Sequence, residues 1–102
     1  LVLILRKTYK GVHSNQVGFP GGQVDPEDIN DIATALRETE EEVGVHRTRV
    51  EVIRELTSTY IPPSNFTVKP FLGIVHETPL FIPQASEVEA IIEVSLKDLL
   101  AE

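Results

Sequence analysis

A glycine-rich turn followed by a carboxylate-rich helical pattern constrains this chain more than any other segment. The turn is Pro20-Gly21-Gly22, and the helical pattern carries Glu38, Glu41 and Glu42. Positions i, i+3 and i+4 share one face of an α-helix, so these three carboxylates are stacked together. Like charges at this spacing destabilise a helix unless a cation lies between them. Because Mg²⁺ and Mn²⁺ select carboxylate oxygen, the pattern predicts a divalent-metal site, with phosphate chemistry as the first hypothesis.

The helix itself is predicted from an apolar stripe that lies beside the charged face. Asp28 is predicted as the N-cap of this helix, and Gly44 is predicted to terminate it. The residues of the stripe recur at helical spacing and are Ile29, Ile32, Ala33, Leu36 and Val43. This arrangement places the carboxylates against the body of the protein and not directly outward.

Length and charge exclude several classes of protein. The 102 residues suit a single domain spanning 1–102, and the lack of any Met suggests a core fragment that is truncated at both ends. A net charge of −7 argues against non-specific nucleic-acid binding. No apolar run approaches the length of a transmembrane helix, so no membrane partner is expected. The absence of cysteine excludes disulfides and thiol catalysis and favours a cytoplasmic location.

Periodicity and turn residues predict the remaining elements. Strands are predicted over residues 2–5, 16–19, 50–60, 66–75 and 88–94, with Pro70 marking an edge position or a bulge. A second helix is predicted to begin near Ser95. The order β-β-α-β-β-β-α predicts an α/β protein in which a mixed sheet carries helices.

The glycine turn and the charged helix together resemble the Nudix box, written G-x5-E-x7-R-E-U-x-E-E-x-G-U, in which U is apolar. Six fixed positions of the box match, namely Gly22, Arg37, Glu38, Glu41, Glu42 and Gly44. At background frequencies of about 7% each, chance agreement is on the order of 10⁻⁷ per start site. The resemblance implies a Nudix-type α/β/α sandwich and a pyrophosphohydrolase.

Two departures from the box point to one branch of the family. The interval is one residue longer than usual, and Asp28 stands in the first Glu position, while Thr39 replaces the apolar residue. A longer interval with Asp is similar to the coenzyme A pyrophosphatase branch. The upstream motif of that branch is matched by Leu3, Val17 and the Phe19-Pro20-Gly21-Gly22 segment. It is not matched at Ile4, Lys7, Lys10, Gly11 and Asn15.

The resemblance implies roles for individual residues. Glu38, Glu41 and Glu42 would hold Mg²⁺ or Mn²⁺, with the Gly22 carbonyl as a further ligand, and Arg37 would orient the glutamates. Either a box glutamate or Glu87, which precedes the last predicted strand, would act as the base; Glu89 is the next candidate for that role. The cations nearest to the site that suit a substrate phosphate are Arg6, Lys7 and Lys10.

The predicted reaction is hydrolysis of a diphosphate bond in a nucleoside diphosphate derivative. Coenzyme A is the leading substrate and would yield 3′,5′-ADP and 4′-phosphopantetheine. The alternatives are hydrolysis of ADP-ribose or another dinucleoside-type diphosphate, and a non-catalytic Nudix module that binds a ligand or a protein. A homodimer is one assembly that the sequence leaves open.

Overall fold

The computed structural model describes residues 1–6, 16–62 and 65–97. Within these ranges one α-helix follows two strands, and five further strands follow the helix. The elements are β1 (Val2–Arg6), β2 (Val17–Gly18), α1 (Asp31–Val43), a 3₁₀ turn (Arg47–Arg49), β3 (Val50–Glu55), β4 (Thr59–Ile61), β5 (Phe66–Val68), β6 (Phe71–Val75) and β7 (Val88–Glu93). Leu96 and Lys97 are helical, and the rest of the predicted second helix lies outside the described residues.

The described strands pair in three antiparallel groups. The first is a three-stranded sheet in the order β2-β1-β7, with Ile4 opposite both Gly18 and Ile91. The second group pairs β3 with β6, and the third is the β4–β5 hairpin. The pairing of β1 with β7 extends to Leu1, whose backbone nitrogen donates to the Val94 carbonyl at 2.8 Å.

Helix α1 is capped differently from the prediction. Its N-cap is Asn30, whose side chain accepts the Ala33 N–H at 2.8 Å, so Asp28 lies outside the helix and the cap prediction was wrong. The reason is a turn in which Asp28 N–H reaches the Asp25 carbonyl at 2.9 Å, which delays the helix until Asp31. Ile29 therefore falls before the helix and is 89% exposed, so the predicted stripe does not include it.

The C-terminal end of α1 follows the prediction. Gly44 adopts the left-handed conformation at φ 76°, and its N–H donates to the Glu40 carbonyl at 3.0 Å. A non-glycine residue is strained at this φ, and a Cβ there would also lie 2.9 Å from the Ile82 Cβ. The glycine thus ends the helix and lets the segment around Ile82 lie against it.

Two predicted strands are each divided in the structure. The strand predicted over 50–60 ends at Glu55, and Thr59–Ile61 instead pairs with Phe66–Val68. The strand predicted over 66–75 is interrupted at Pro70, which has no N–H to donate to a ladder. The Pro70 carbonyl still accepts the Leu56 N–H at 2.9 Å, so both breaks occur beside each other.

The core joins the three-stranded sheet to the end of the helix. Its buried side chains are Ile4, Val43, Val45 and Val88. The segment before β7 is bound to the same place, because the N–H groups of Ile82 and Gln84 donate to the carbonyls of Val43 and Glu42 at 2.8 and 3.0 Å. These bonds satisfy carbonyls at a helix end that lack intrahelical partners, and they bring Glu87 toward α1. In the described part of the chain, no helix has the length and apolar character needed to cross a membrane.

Candidate active site

An acidic cavity of about 310 Å³ lies where β1, the glycine turn, α1 and the segment before β7 meet. Its lining is mainly polar and contains four carboxylate side chains. The lining residues are Arg6, Gly21, Gly22, Gln23, Glu38, Glu41, Glu42, Gln84 and Glu87. Residues from four separate parts of the sequence therefore converge on one small volume.

Glu42 is the most buried carboxylate of this cavity, at 3% exposure. Its Oε1 accepts the Gly21 N–H at 2.8 Å, and its Oε2 accepts an Arg6 N–H at 3.0 Å. Burial raises the pKa of Glu42, while the Gly21 N–H and the Arg6 guanidinium act in the opposite direction. The two donors thus hold a costly buried carboxylate in place at the wall of the cavity.

Arg37 organises the carboxylates on the opposite side of the glycine turn. Its guanidinium donates to Glu38 at 2.9 Å, to Glu41 at 3.3 Å and to the Gln23 carbonyl at 3.1 Å. It also forms a two-pronged pair with Asp28, through Nε at 3.0 Å and Nη2 at 3.1 Å. The hydrogen bond to Asp28 is the main reason that the pKa of Arg37 lies above its usual range. A bidentate guanidinium–carboxylate pair fixes direction as well as distance, so Arg37 is held rigidly.

Asp28 is therefore part of the support of the site. Its carboxylate also accepts the Asp25 N–H and the Thr34 hydroxyl, each at 2.8 Å. Its side chain is 5% exposed, and the Arg37 hydrogen bond is the first cause that holds the pKa of Asp28 well below its usual range. Sequence reasoning missed this role because it depends on the turn that separates Asp28 from the helix.

Gly22 lies against Glu38 with no space for a side chain. A Cβ built on Gly22 would lie 2.5 Å from Glu38 Cδ and within 2.8 Å of both carboxylate oxygens. The backbone of the glycine turn therefore approaches the Glu38 carboxylate more closely than any other residue type permits.

The structure brings most of the predicted site residues together. Gly22, Glu38, Glu41, Glu42, Glu87 and Arg6 line the cavity, while Arg37 supports it from outside, and Lys7 and Lys10 lie outside the described residues. Sequence reasoning missed Gly21, Gln23 and Gln84. Gly21 lies in the glycine turn and Gln23 follows it, so both could have been inferred from that turn. Gln84 is brought to the cavity by its backbone hydrogen bond to the Glu42 carbonyl.

The oxygen donors suit a hard divalent cation, although Glu38, Glu41 and Glu42 are bound to arginines. Four carboxylates and the backbone of Gly22 form the kind of donor set that Mg²⁺ and Mn²⁺ prefer. Among the described residues, no three acidic or histidine side chains are already arranged around a common metal position. Glu38 and Glu41 line the cavity while they also bind Arg37, so a metal ion would be held by carboxylates that this guanidinium contacts from outside.

Comparison with known proteins agrees with this geometry. The NUDIX domain model matches residues 1–102. An uncharacterized Nudix hydrolase NudL of Yersinia enterocolitica serotype O:8 / biotype 1B is 38% identical over 100 residues, which cover 98% of this chain and 51% of that protein. The NudL of Yersinia pestis strain Pestoides F is 37% identical over 101 residues, covering 99% and 50%. The chain thus spans about half the length of the curated relatives it matches.

The fold is shared with a solved structure of much lower sequence similarity. The crystal structure of a C. elegans Ap4A hydrolase binary complex superposes with a TM-score of 0.77 at 18% identity, covering 97% of this chain and 70% of that one. This similarity confirms the predicted fold class. Together with the match over the whole chain, it leads to one conclusion: this chain belongs to the Nudix domain family.

Proposed function

We propose that the full-length protein hydrolyses the diphosphate bond of a nucleoside diphosphate derivative in a reaction that depends on a divalent metal ion. The observation that carries this proposal is the convergence of Glu38, Glu41, Glu42 and Glu87 on one cavity beside Gly22. Nudix hydrolases generally use divalent metal ions, and these side chains supply the oxygen ligands that such ions require.

In the proposed site, Glu38, Glu41, Glu42 and the Gly22 carbonyl would hold Mg²⁺ or Mn²⁺. The ion would supply positive charge that polarises the diphosphate and lowers the pKa of the attacking water. Arg37 would keep Glu38 and Glu41 in orientation from behind, through the contacts at 2.9 and 3.3 Å.

Glu87 is proposed as the general base. Its side chain is exposed at the cavity, and its backbone N–H is bound to the Gln84 carbonyl at 3.1 Å, which anchors the residue at the start of β7. Water would attack phosphorus in line, Glu87 would accept the proton, and the bridging P–O bond would break. Glu41 is the alternative base, because its side chain is 47% exposed at the same cavity.

Arg6 is the described cation that suits a substrate phosphate. Its guanidinium lines the cavity and its side chain is 37% exposed, so it can reach an incoming anion while bound to Glu42. A protein with net charge −7 would otherwise repel an anionic substrate, which makes local cations necessary. A cavity of about 310 Å³ is of the size that small-molecule sites have, which supports a small-molecule substrate.

Coenzyme A is the proposed substrate, cleaved to 3′,5′-ADP and 4′-phosphopantetheine. Two features of the box support this substrate: its longer interval and the Asp at position 28. Both are similar to the coenzyme A pyrophosphatase branch of the family. ADP-ribose and other dinucleoside-type diphosphates are the alternatives, and the shared fold with an Ap4A hydrolase adds diadenosine tetraphosphate to the compounds worth testing. A non-catalytic binding module is disfavoured because Glu38, Glu41 and Glu42 are all retained.

A substrate panel tests the proposal. The full-length protein is incubated with Mg²⁺ or Mn²⁺ and coenzyme A, ADP-ribose, NADH, diadenosine tetraphosphate or nucleoside triphosphates, and the products are resolved by ion-pair chromatography. We expect fastest turnover of coenzyme A and none with excess EDTA. Faster turnover of another compound would refute coenzyme A as the preferred substrate. The absence of turnover with every compound would refute the proposed hydrolase activity.

A further inference from the structure

Thr34 is a buried polar side chain on α1 for which the proposed reaction has no direct use. Thr34 is only 5% exposed. Its hydroxyl lies 2.8 Å from Asp28 Oδ2 and 3.4 Å from the Asn30 carbonyl. A hydroxyl has one proton to donate, and the shorter distance and the negative charge direct it to Asp28.

The carboxylate that Thr34 contacts is the one that fixes Arg37. Asp28 Oδ2 accepts from Thr34, from the Asp25 N–H and from Arg37 Nη2, while Oδ1 accepts from Arg37 Nε. Arg37 in turn holds Glu38 at 2.9 Å and the Gln23 carbonyl at 3.1 Å. A continuous set of hydrogen bonds therefore runs from Thr34 to both sides of the cavity.

We propose that Thr34 is a positioning residue whose hydroxyl sets the geometry of the metal-binding carboxylates through Asp28 and Arg37. This inference rests on the proposed function, because it concerns the same site. The Asp25–Asp28 turn lies outside the helix, and besides the Arg37 pair itself, the side-chain contact that ties Asp28 to α1 is the Thr34 hydroxyl. Without it, the carboxylate can rotate with the turn, and Arg37 loses its fixed direction.

The interval between Gly22 and Arg37 explains why such a tie is needed here. The box has one more residue than the usual spacing, and its acid is Asp, which is one methylene shorter than Glu. Because the Gly22–Arg37 connection is longer and the Asp28 side chain is shorter, more conformations exist in which the Asp28 carboxylate does not contact the Arg37 guanidinium. A buried hydroxyl at Thr34 selects the conformation in which the two-pronged pair forms.

The test compares Thr34→Val, which removes the hydroxyl at constant shape, with Thr34→Ser, which keeps it. Thr39→Val is the matched control, since this threonine lies on the same helix and makes no side-chain hydrogen bond to any described residue. We expect Thr34→Val to lower kcat by about tenfold and to weaken Mn²⁺ binding, measured by electron paramagnetic resonance, by about tenfold, with KM for the nucleotide changed less than about twofold. Thr34→Ser and Thr39→Val should stay near the wild type in both measurements.

A double-mutant cycle separates positioning from a general loss of packing. If Thr34 acts through Asp28, then adding Thr34→Val to Asp28→Asn should cause no further loss of kcat or of Mn²⁺ affinity. Losses that multiply, or a Thr34→Ser variant as impaired as Thr34→Val, would overturn the proposal.

A measurement independent of turnover keeps the inference distinct from the proposed function. In the full-length protein, exchange of the Arg37 Nε–H with solvent, followed by ¹H–¹⁵N NMR, should be slow in the wild type and in Thr34→Ser and fast in Thr34→Val. Equal exchange in all three would refute the role of Thr34 even if the enzyme is active. An inactive wild type with the expected exchange pattern would refute the proposed function alone.

Discussion

Gly22→Ala moves a metal-binding carboxylate without touching the carboxylate itself. The new Cβ would lie 2.5 Å from Glu38 Cδ, whereas ordinary contacts begin near 3.4 Å, so the end of Glu38 must shift by about 0.9 Å. The shift also disturbs the hydrogen bond between Glu38 and Arg37 at 2.9 Å. Displacement of a reacting group by about 1 Å costs about 100-fold in rate, and we expect a loss of this size in kcat.

The same substitution should leave the fold nearly as stable as before. The group that moves is the end of a flexible side chain that is 19% exposed, and alanine restricts the unfolded chain, which stabilises by about 0.4–1 kcal/mol. The free energy of unfolding, measured in urea, should therefore change by less than about 1 kcal/mol.

Gly18→Ala is the matched control for this experiment. A Cβ on Gly18 would meet no atom within 4 Å, so the variant should keep both kcat and stability. The reasoning about close approach is refuted if Gly22→Ala retains the wild-type kcat and metal affinity. A loss of activity in Gly22→Ala that is matched in Gly18→Ala would refute it as well.

Two further predictions concern the fold and its dependence on pH. Gly44→Ala should lower the free energy of unfolding in urea by about 2–4 kcal/mol, because it combines a left-handed residue with a contact to the backbone of Ile82, and wild-type stability would contradict this account. Burial raises the pKa of Glu42 in the folded protein above its ordinary value of 4.5. The protonated carboxyl therefore contributes to the free energy of unfolding below pH 4.5, and this contribution is lost as the pH rises through the raised pKa of the folded state. In metal-free protein, Glu42→Gln should therefore gain stability relative to the wild type as the pH rises above about 4.5, and a constant difference in urea titrations would contradict the assignment.

The carboxylate helix and its site were accessible to sequence reasoning because short-range rules determine them. The spacing of Glu38, Glu41 and Glu42 on one helical face is a property of the helix alone, and the left-handed Gly44 follows from its place at the end of the pattern. The family prediction is confirmed, and four residues of the box, namely Gly22, Glu38, Glu41 and Glu42, line the cavity.

The parts that escaped prediction depend on contacts between distant segments. Aspartate is a residue type favoured at helix N-caps, which is why Asp28 was predicted as one. Its role in supporting the site depends on the Asp25–Asp28 turn and on the guanidinium of Arg37. The division of the strands at Glu55 and Pro70 likewise reflects pairing choices that local propensity does not decide. The homodimer and the cytoplasmic location stay predictions.

The central claim is that buried Glu42 belongs to a metal-dependent hydrolytic site and is not merely the partner of Arg6. The most direct measurement is the initial rate of diphosphate hydrolysis by full-length wild type and Glu42→Gln in saturating Mg²⁺, with folding verified by circular dichroism. We predict that the variant stays folded and loses at least about 100-fold in kcat, because the amide cannot supply the charged ligand. A folded Glu42→Gln variant that turns over substrate at the wild-type rate would contradict the account.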